Sequence, residues 1–478
     1  MAGRFLQYHE PDVESILILI SFFTFLWLSS KVSSALIHAS IIGPIVVGIV
    51  YGEPLADILQ SHWQDTSLYL GFIGLSLIIF EGGLTARLDL LRDKIGLSLF
   101  GAAIGVVIPI ALSYLLLFLG FGYGAVETFI LGAALSTTSL GTTFAVIASA
   151  SASVGAVLVS AAVIDDVTGL VMSSVIHDVG SLGEGASLGW LIGRPILASA
   201  AMAILTPLLT KYVFAPLFRG RVEHHFAKFD HISNMALMIL VLCAFISIAA
   251  YAGTSILFGA FLAGAFLSYI PSKHPEGPFN VLSREEGERN KDKSPTFVHT
   301  FEFYCLDFQH YILEPLFFAS IGFAIPFLSL WTGQAIWRGI VYSLLMFVSK
   351  AAVGLVIPMR DLIPSPACAL KGRPEPGHGT CPLPINDAEG ATLPQKRRTS
   401  WSSAMLLSMA MVARGEIGLL IVEIGYNNTS YVSEAAFLTA IWAILLNTII
   451  GPIAVGQLVK RRRKEIAEST WGLESSEA

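Results

Sequence analysis

The apolar residues of this chain come in long runs, near 13–29, 35–51, 66–84, 96–119, 126–149, 153–178, 186–210, 232–251, 254–271, 308–330, 336–359, 402–425 and 432–458. Each of these about thirteen runs is close to the length a helix needs to cross a ~30 Å hydrocarbon layer. The pattern predicts an all-α polytopic membrane protein with about thirteen transmembrane helices. The runs around 71–84, 132–149 and 408–425 carry the most Gly, Ser, Thr or charge, and non-helical backbone is expected there.

Composition agrees. Of 478 residues 54% are hydrophobic and only 13% charged, where a soluble protein carries about 25% charged residues; the mean hydropathy is +0.69. The net charge of −6 is modest, and no basic run interleaved with aromatics suggests a nucleic-acid partner. Cys243, Cys305, Cys368 and Cys381 show no paired spacing, so neither disulfides nor a zinc site are expected. The first run follows Glu10, Asp12 and Glu14 rather than bases, and reads as a retained span instead of a cleaved leader.

Assigning alternate loops to one side collects most of the 29 Lys and Arg there, including Arg87, Arg92 and Lys94, the bases of 211–228 and 273–293, and Lys460 to Lys464. The positive-inside rule makes that side cytoplasmic, with the N-terminus outside and the C-terminus inside. Residues 272–307 and 360–401 read as long cytoplasmic loops, the latter flexible, and 459–478 as a short basic then acidic cytoplasmic tail. The sequons at Asn427 and Asn428 fall on the outer side, close to the membrane.

Two exceptions to this charge layout, Lys350 and Arg414, lie inside spans, as do Asp165 and Asp166. An ionised Asp at mid-bilayer costs roughly 3 kcal/mol even on lenient scales, so the pair must face protein or water. The preceding span reads Gly132-Ala133-Ala134-Leu135-Ser136-Thr137-Thr138-Ser139-Leu140-Gly141. Glycines permit unwinding, and freed carbonyls with the hydroxyls of Thr137, Thr138 and Ser139 would form an oxygen cage for a hard monovalent cation; helix packing through small residues is the bland alternative. Lys350 either snorkels to an interface or needs a carboxylate, for which Asp165 is the candidate. Met411-Val412-Ala413-Arg414-Gly415-Glu416-Ile417-Gly418 suggests a second interrupted helix, with Arg414 and Glu416 as a local ion pair clamping the break. Interrupted spans in corresponding halves point to a transporter of inverted repeats with its site at the midplane.

These segments, with Pro315-Leu316-Phe317-Phe318-Ala319-Ser320-Ile321-Gly322, Tyr251 to Gly264 and Phe80-Glu81-Gly82-Gly83-Leu84, resemble the monovalent cation/proton antiporters of the bacterial sodium/proton exchanger type, across residues 13–458. The long cytoplasmic loops depart from the compact bacterial pattern. The resemblance implies two crossed broken helices in a core domain, a panel that forms a homodimer, and elevator-like alternating access. Matching positions make Asp166 the carrier of cation and proton, pair Asp165 with Lys350, and place Thr138 and Ser139 in the cation shell. An Asp-Asp pair with a Lys is the pattern of electrogenic members. No cofactor is implied. The expected partners are H⁺ with Na⁺ first, Li⁺ or K⁺ otherwise, and the lipid bilayer.

Other classes fit less well. A symporter or anion carrier on the same scaffold is the nearer rival. An intramembrane aspartyl protease needs its two Asp on different spans, whereas neighbours on one helix diverge by about 100°. No HExxH or P-loop pattern occurs, so a transporter is expected rather than an enzyme.

Overall fold

A computed structural model describes residues 10, 12–37, 39–86, 95–138, 155–180, 188–218, 221, 230–270, 296–355 and 395–467. Among them every regular element is helical: α1 (Val13–Ile37), α2 (Ile42–Tyr51), α3 (Ser61–Thr85), α4 (Ile95–Ser113), α5 (Ala125–Ser136), α6 (Gly155–Gly180), α7 (Leu188–Leu209), α8 (Asp230–Ala252), α9 (Ile256–Tyr269), α10 (Phe297–Tyr304), α11 (Glu314–Ala324), α12 (Gly333–Gly354), α13 (Gln395–Ala410), α14 (Glu416–Asn427) and α15 (Glu434–Ala467). Seven of the described helices are long and apolar enough to cross a membrane. Three shorter apolar ones, α2, α5 and α9, lie among them.

The helices pack in two groups. In one, α9 lies along α3, α11 along α2 and α3, α1 against α2, and α8 against α9. In the other, α12 packs on α15, α4 and α13, while α5 and α6 each contact both α4 and α14. Lipid tails are as apolar as leucine, so such helices gain by close van der Waals contact through small residues. At Gly83 a Cβ would strike the carbonyl of Phe261 on α9, and at Gly264 that of Phe80 on α3. Val13, Leu17 and Ile20 on α1 and Leu197 and Ile204 on α7 are exposed apolar residues, as lipid-facing positions require.

Three expectations change. Segment 71–84 is unbroken helix within α3; Gly71 and Gly74 instead admit the backbones of Phe317 and Leu313. Residues 272–307 are not all loop, because α10 occupies Phe297–Tyr304. Phe297, Val298 and Phe301 form a short buried stripe, and Thr296 caps the helix by accepting from the His299 N–H at 3.2 Å. Such a stripe is too brief to stand out as a span. Likewise α13 starts at Gln395, inside the expected loop 360–401. Residues 271–295, 356–394 and 468–478 lie outside the described residues.

Candidate functional site

The site forms where two helices stop. α5 ends at Ser136, and Thr137 continues in extended backbone (φ −67°, ψ 149°). Helix also stops at Ala410 and resumes at Glu416, with Gly415 extended (φ −135°, ψ −158°). Each stop frees carbonyls and amides that need other partners. The Thr137 carbonyl accepts from an Arg414 guanidinium N–H, so the loose end of one helix is tied to the break of the other. The Arg414 carbonyl accepts from the Thr448 hydroxyl on α15 at 3.0 Å. Gly418 lets α14 cross α5 closely, since a Cβ there would sit 2.9 Å from the Ala134 carbonyl oxygen. Gly169, one turn beyond the Asp pair, has the Thr137 methyl packed over it.

The two aspartates of α6 occupy different surroundings. Asp165 is fully buried, and its Oδ2 accepts from the Thr138 hydroxyl at 2.5 Å and from the Lys350 ammonium at 3.2 Å. Lys350 is fully buried too, so it does not snorkel. Oδ1 of Asp165 has no partner among the described residues; it lies 3.8 Å from where a Cβ on Gly105 of α4 would be, and Lys350 Nζ lies 3.5 Å from the same point. Pro109, one turn on, lacks the N–H that would bond the Gly105 carbonyl. The pair is thus bordered by bare backbone.

Asp166 turns away by the helical angle of about 100°. It is half-buried, and its Oδ1 is buried with no hydrogen-bond partner among the described residues. The charged groups acting on it are Glu416, Asp165 and Lys350. The expected local clamp does not form: Arg414 and Glu416 make no ion pair with each other. Arg414 is fully buried and drawn to the freed Thr137 carbonyl, whereas Glu416 opens α14 half-buried and faces the electrostatic field of Asp166. Arg414 does clamp a break, but that of α5.

Of the residues expected to share a site, Asp165, Lys350 and Thr138 are joined by hydrogen bonds, and Arg414 is bonded to the carbonyl of the adjacent Thr137. The Thr137 hydroxyl itself donates back to Ala134 at 2.8 Å. Ser139 lies outside the described residues. Sequence reasoning missed Gly105 and Thr448, each one small residue in an apolar run. It also missed the buried hydroxyl pair of Tyr342 and Ser113 at 2.8 Å, which seals α12 to α4 two turns from Lys350.

Residues 14–461 match the family described as sodium/hydrogen exchanger, transmembrane. The Na⁺/H⁺ antiporter of Enterococcus hirae is 22% identical over 426 residues, covering 88% of this chain and 92% of that protein. The high-affinity Na⁺/H⁺ antiporter NhaS3 of Synechocystis is 26% identical over 218 residues, 45% of this chain and 46% of that one. Among solved structures, the sodium proton antiporter MjNhaP1 of Methanocaldococcus jannaschii superposes with a TM-score of 0.58 over 95% of this chain and 100% of its own, at 17% identity, a likeness of fold. With helices that stop beside an Asp-Asp-Lys cluster and a family match along nearly its whole length, the chain is an integral multi-pass membrane protein that belongs to the sodium/hydrogen exchanger family.

Proposed function

We propose that the protein exchanges a monovalent cation, Na⁺ first and Li⁺ or K⁺ otherwise, for protons, with Asp166 as the carrier. The observation that carries this reading is the division of labour in the Asp pair. Asp165 already has a cation, Lys350, and a hydroxyl donor on one oxygen. Asp166 makes no hydrogen bond or ion pair among the described residues, on either oxygen, the state a carboxylate holds for a ligand it releases. The relatives named as Na⁺/H⁺ antiporters support the choice of ions.

A carboxylate removed from water resists ionisation, while a bound cation favours it, so proton and cation compete for one site. Moving the bare charge through a low-dielectric barrier is costly. If only the loaded forms cross, counter-transport follows. Glu416, half-buried beside Asp166, supplies further oxygens to the cation, and the freed backbone at Thr137–Thr138 supplies carbonyls. Lys350 pairs with Asp165 and leaves Asp166 open to the cation. The crossed stops of α5 and α13–α14 belong to an inverted-repeat core that moves in an elevator-like way against the α1–α3, α9, α11 group, in a homodimer. The N-terminus is outside and the C-terminus cytoplasmic.

Proton flux in proteoliposomes, driven by outward or inward gradients of Na⁺, Li⁺ and K⁺, tests this. Flux opposite to at least the Na⁺ gradient is expected, and faster when the membrane potential is clamped, because exchange is electrogenic. Flux parallel to the cation would make the protein a symporter.

A further inference from the structure

α14 is enclosed on nearly every side, and each residue from Ile417 to Val422 is buried. The less buried positions are Glu416, Glu423, Ile424, Tyr426 and Asn427. Three of these, Glu416, Glu423 and Asn427, are seven and four residues apart, which places them within about 40° of one another on a single helix face. A stripe facing lipid would be apolar, since an ionisable group there costs roughly 3 kcal/mol or more. This stripe is two carboxylates and a carboxamide. Among the described residues the Glu423 side chain makes no hydrogen bond or ion pair, so it is not held as part of a structural network there.

The stripe also has a direction. Ile417 lies against Gly169 near the start of α14, and Asn428 against Gly180 beyond its end. α6 and α14 therefore run side by side from the Asp pair to one surface, and α11 of the other helix group packs across α14. Glu416 sits at the Asp166 end, Glu423 about 10 Å farther along, and Asn427 is exposed at the surface.

We infer that this face of α14 lines a water-filled groove between Asp166 and the surface at Asn427, and that Glu423 is a staging carboxylate which holds a hydrated monovalent cation there before it reaches Asp166. The inference rests on the reading of Asp166 as the exchange site. Glu423 takes no part in the competition at that site; it raises the local cation concentration at one mouth of the protein. Its effect must therefore be one-sided.

Two measurements test it. In a protein with all four cysteines replaced by serine, Glu423→Cys is treated with a charged, membrane-impermeant methanethiosulfonate. Labelling from the Asn427 side, with the fully buried Val422→Cys unreactive, is expected; no labelling from that side overturns the groove. In vesicles of each orientation, Glu423→Gln is expected to raise the apparent cation KM from the Asn427 side about two- to fivefold, the scale of one partly exposed ion contact. The KM from the opposite side stays put, and Glu423→Asp keeps the wild-type value on both. Equal shifts from both sides, or none, overturn the staging role. Should Glu423→Gln not assemble, the labelling result decides. Absence of cation-driven proton flux in the wild type would defeat the antiport reading instead, while labelling still reports the groove.

Discussion

Asp165 and Asp166 are neighbours in sequence with opposite duties, and the hydrogen bonds around them say why. One Asp165 oxygen gathers Thr138 and Lys350, and burial of all charged atoms makes that pair expensive to break. Removing one partner of a buried ion pair costs about 3–5 kcal/mol because the other charge is left uncompensated. Lys350→Gln is accordingly expected to lower Tm by several degrees and to alter electrogenicity more than cation affinity; unchanged Tm and unchanged charge movement would contradict the role given to Lys350. Thr138→Val removes a donor to a charged acceptor, at about 1.5–3 kcal/mol, whereas Thr138→Ser keeps it. Thermal unfolding of the two variants side by side reads that hydrogen bond. The contact of Lys350 with Asp165 was legible in sequence because a charge inside the bilayer must find a counter-charge. Gly105, which borders the same pair, was not, because a glycine in an apolar run has many possible reasons.

At the scale of elements, a break is legible only when its chemistry is unusual. Arg414-Gly415-Glu416 puts two charges around a glycine within an apolar span, and helix does stop there. Gly71, Gly74, Gly82 and Gly83 looked like a comparable interruption, yet α3 runs through them. Gly71 meets the backbone of α11, Gly74 that of Leu313 just before α11, and Gly83 that of α9, while a Cβ at Gly82 would meet nothing within 4 Å, and which partner a glycine serves depends on a helix far away in sequence. The partner of Arg414 was illegible for the same reason: the Thr137 carbonyl needs a donor only because α5 ends there. Gly418 carries the crossing of α14 over α5. Gly418→Leu is expected to abolish exchange by forcing the two breaks apart, while Gly101→Ala, where a Cβ meets nothing within 4 Å, leaves exchange intact. Flux assays on both variants, with Tm as a folding control, check this.

For the whole molecule, the long apolar runs and the one-sided bases announced a polytopic membrane protein, and the two helix groups could not be read from either. Their composition is alike; only the pairing of glycines with distant backbones separates them. The charge layout does give an orientation that can be measured. An epitope inserted between 371 and 398, among Lys371, Arg373, Lys396, Arg397 and Arg398, should be reached by antibody only from the cytoplasmic face, and one placed after Asn428 only from outside; the reverse would overturn the assignment. Which ion wins is a matter of a cage fitted to tenths of an ångström, finer than any pattern of residue types.

The central claim is that Asp166 alone carries both ions. The most direct test is Na⁺-driven proton flux in proteoliposomes, wild type against Asp166→Asn, measured at several pH values. The wild type should show an apparent Na⁺ KM that rises as pH falls, with an unchanged maximal rate, because the two ions compete for one carboxylate. Asp166→Asn should show no exchange at a Tm close to wild type. Undiminished exchange in Asp166→Asn would contradict the account.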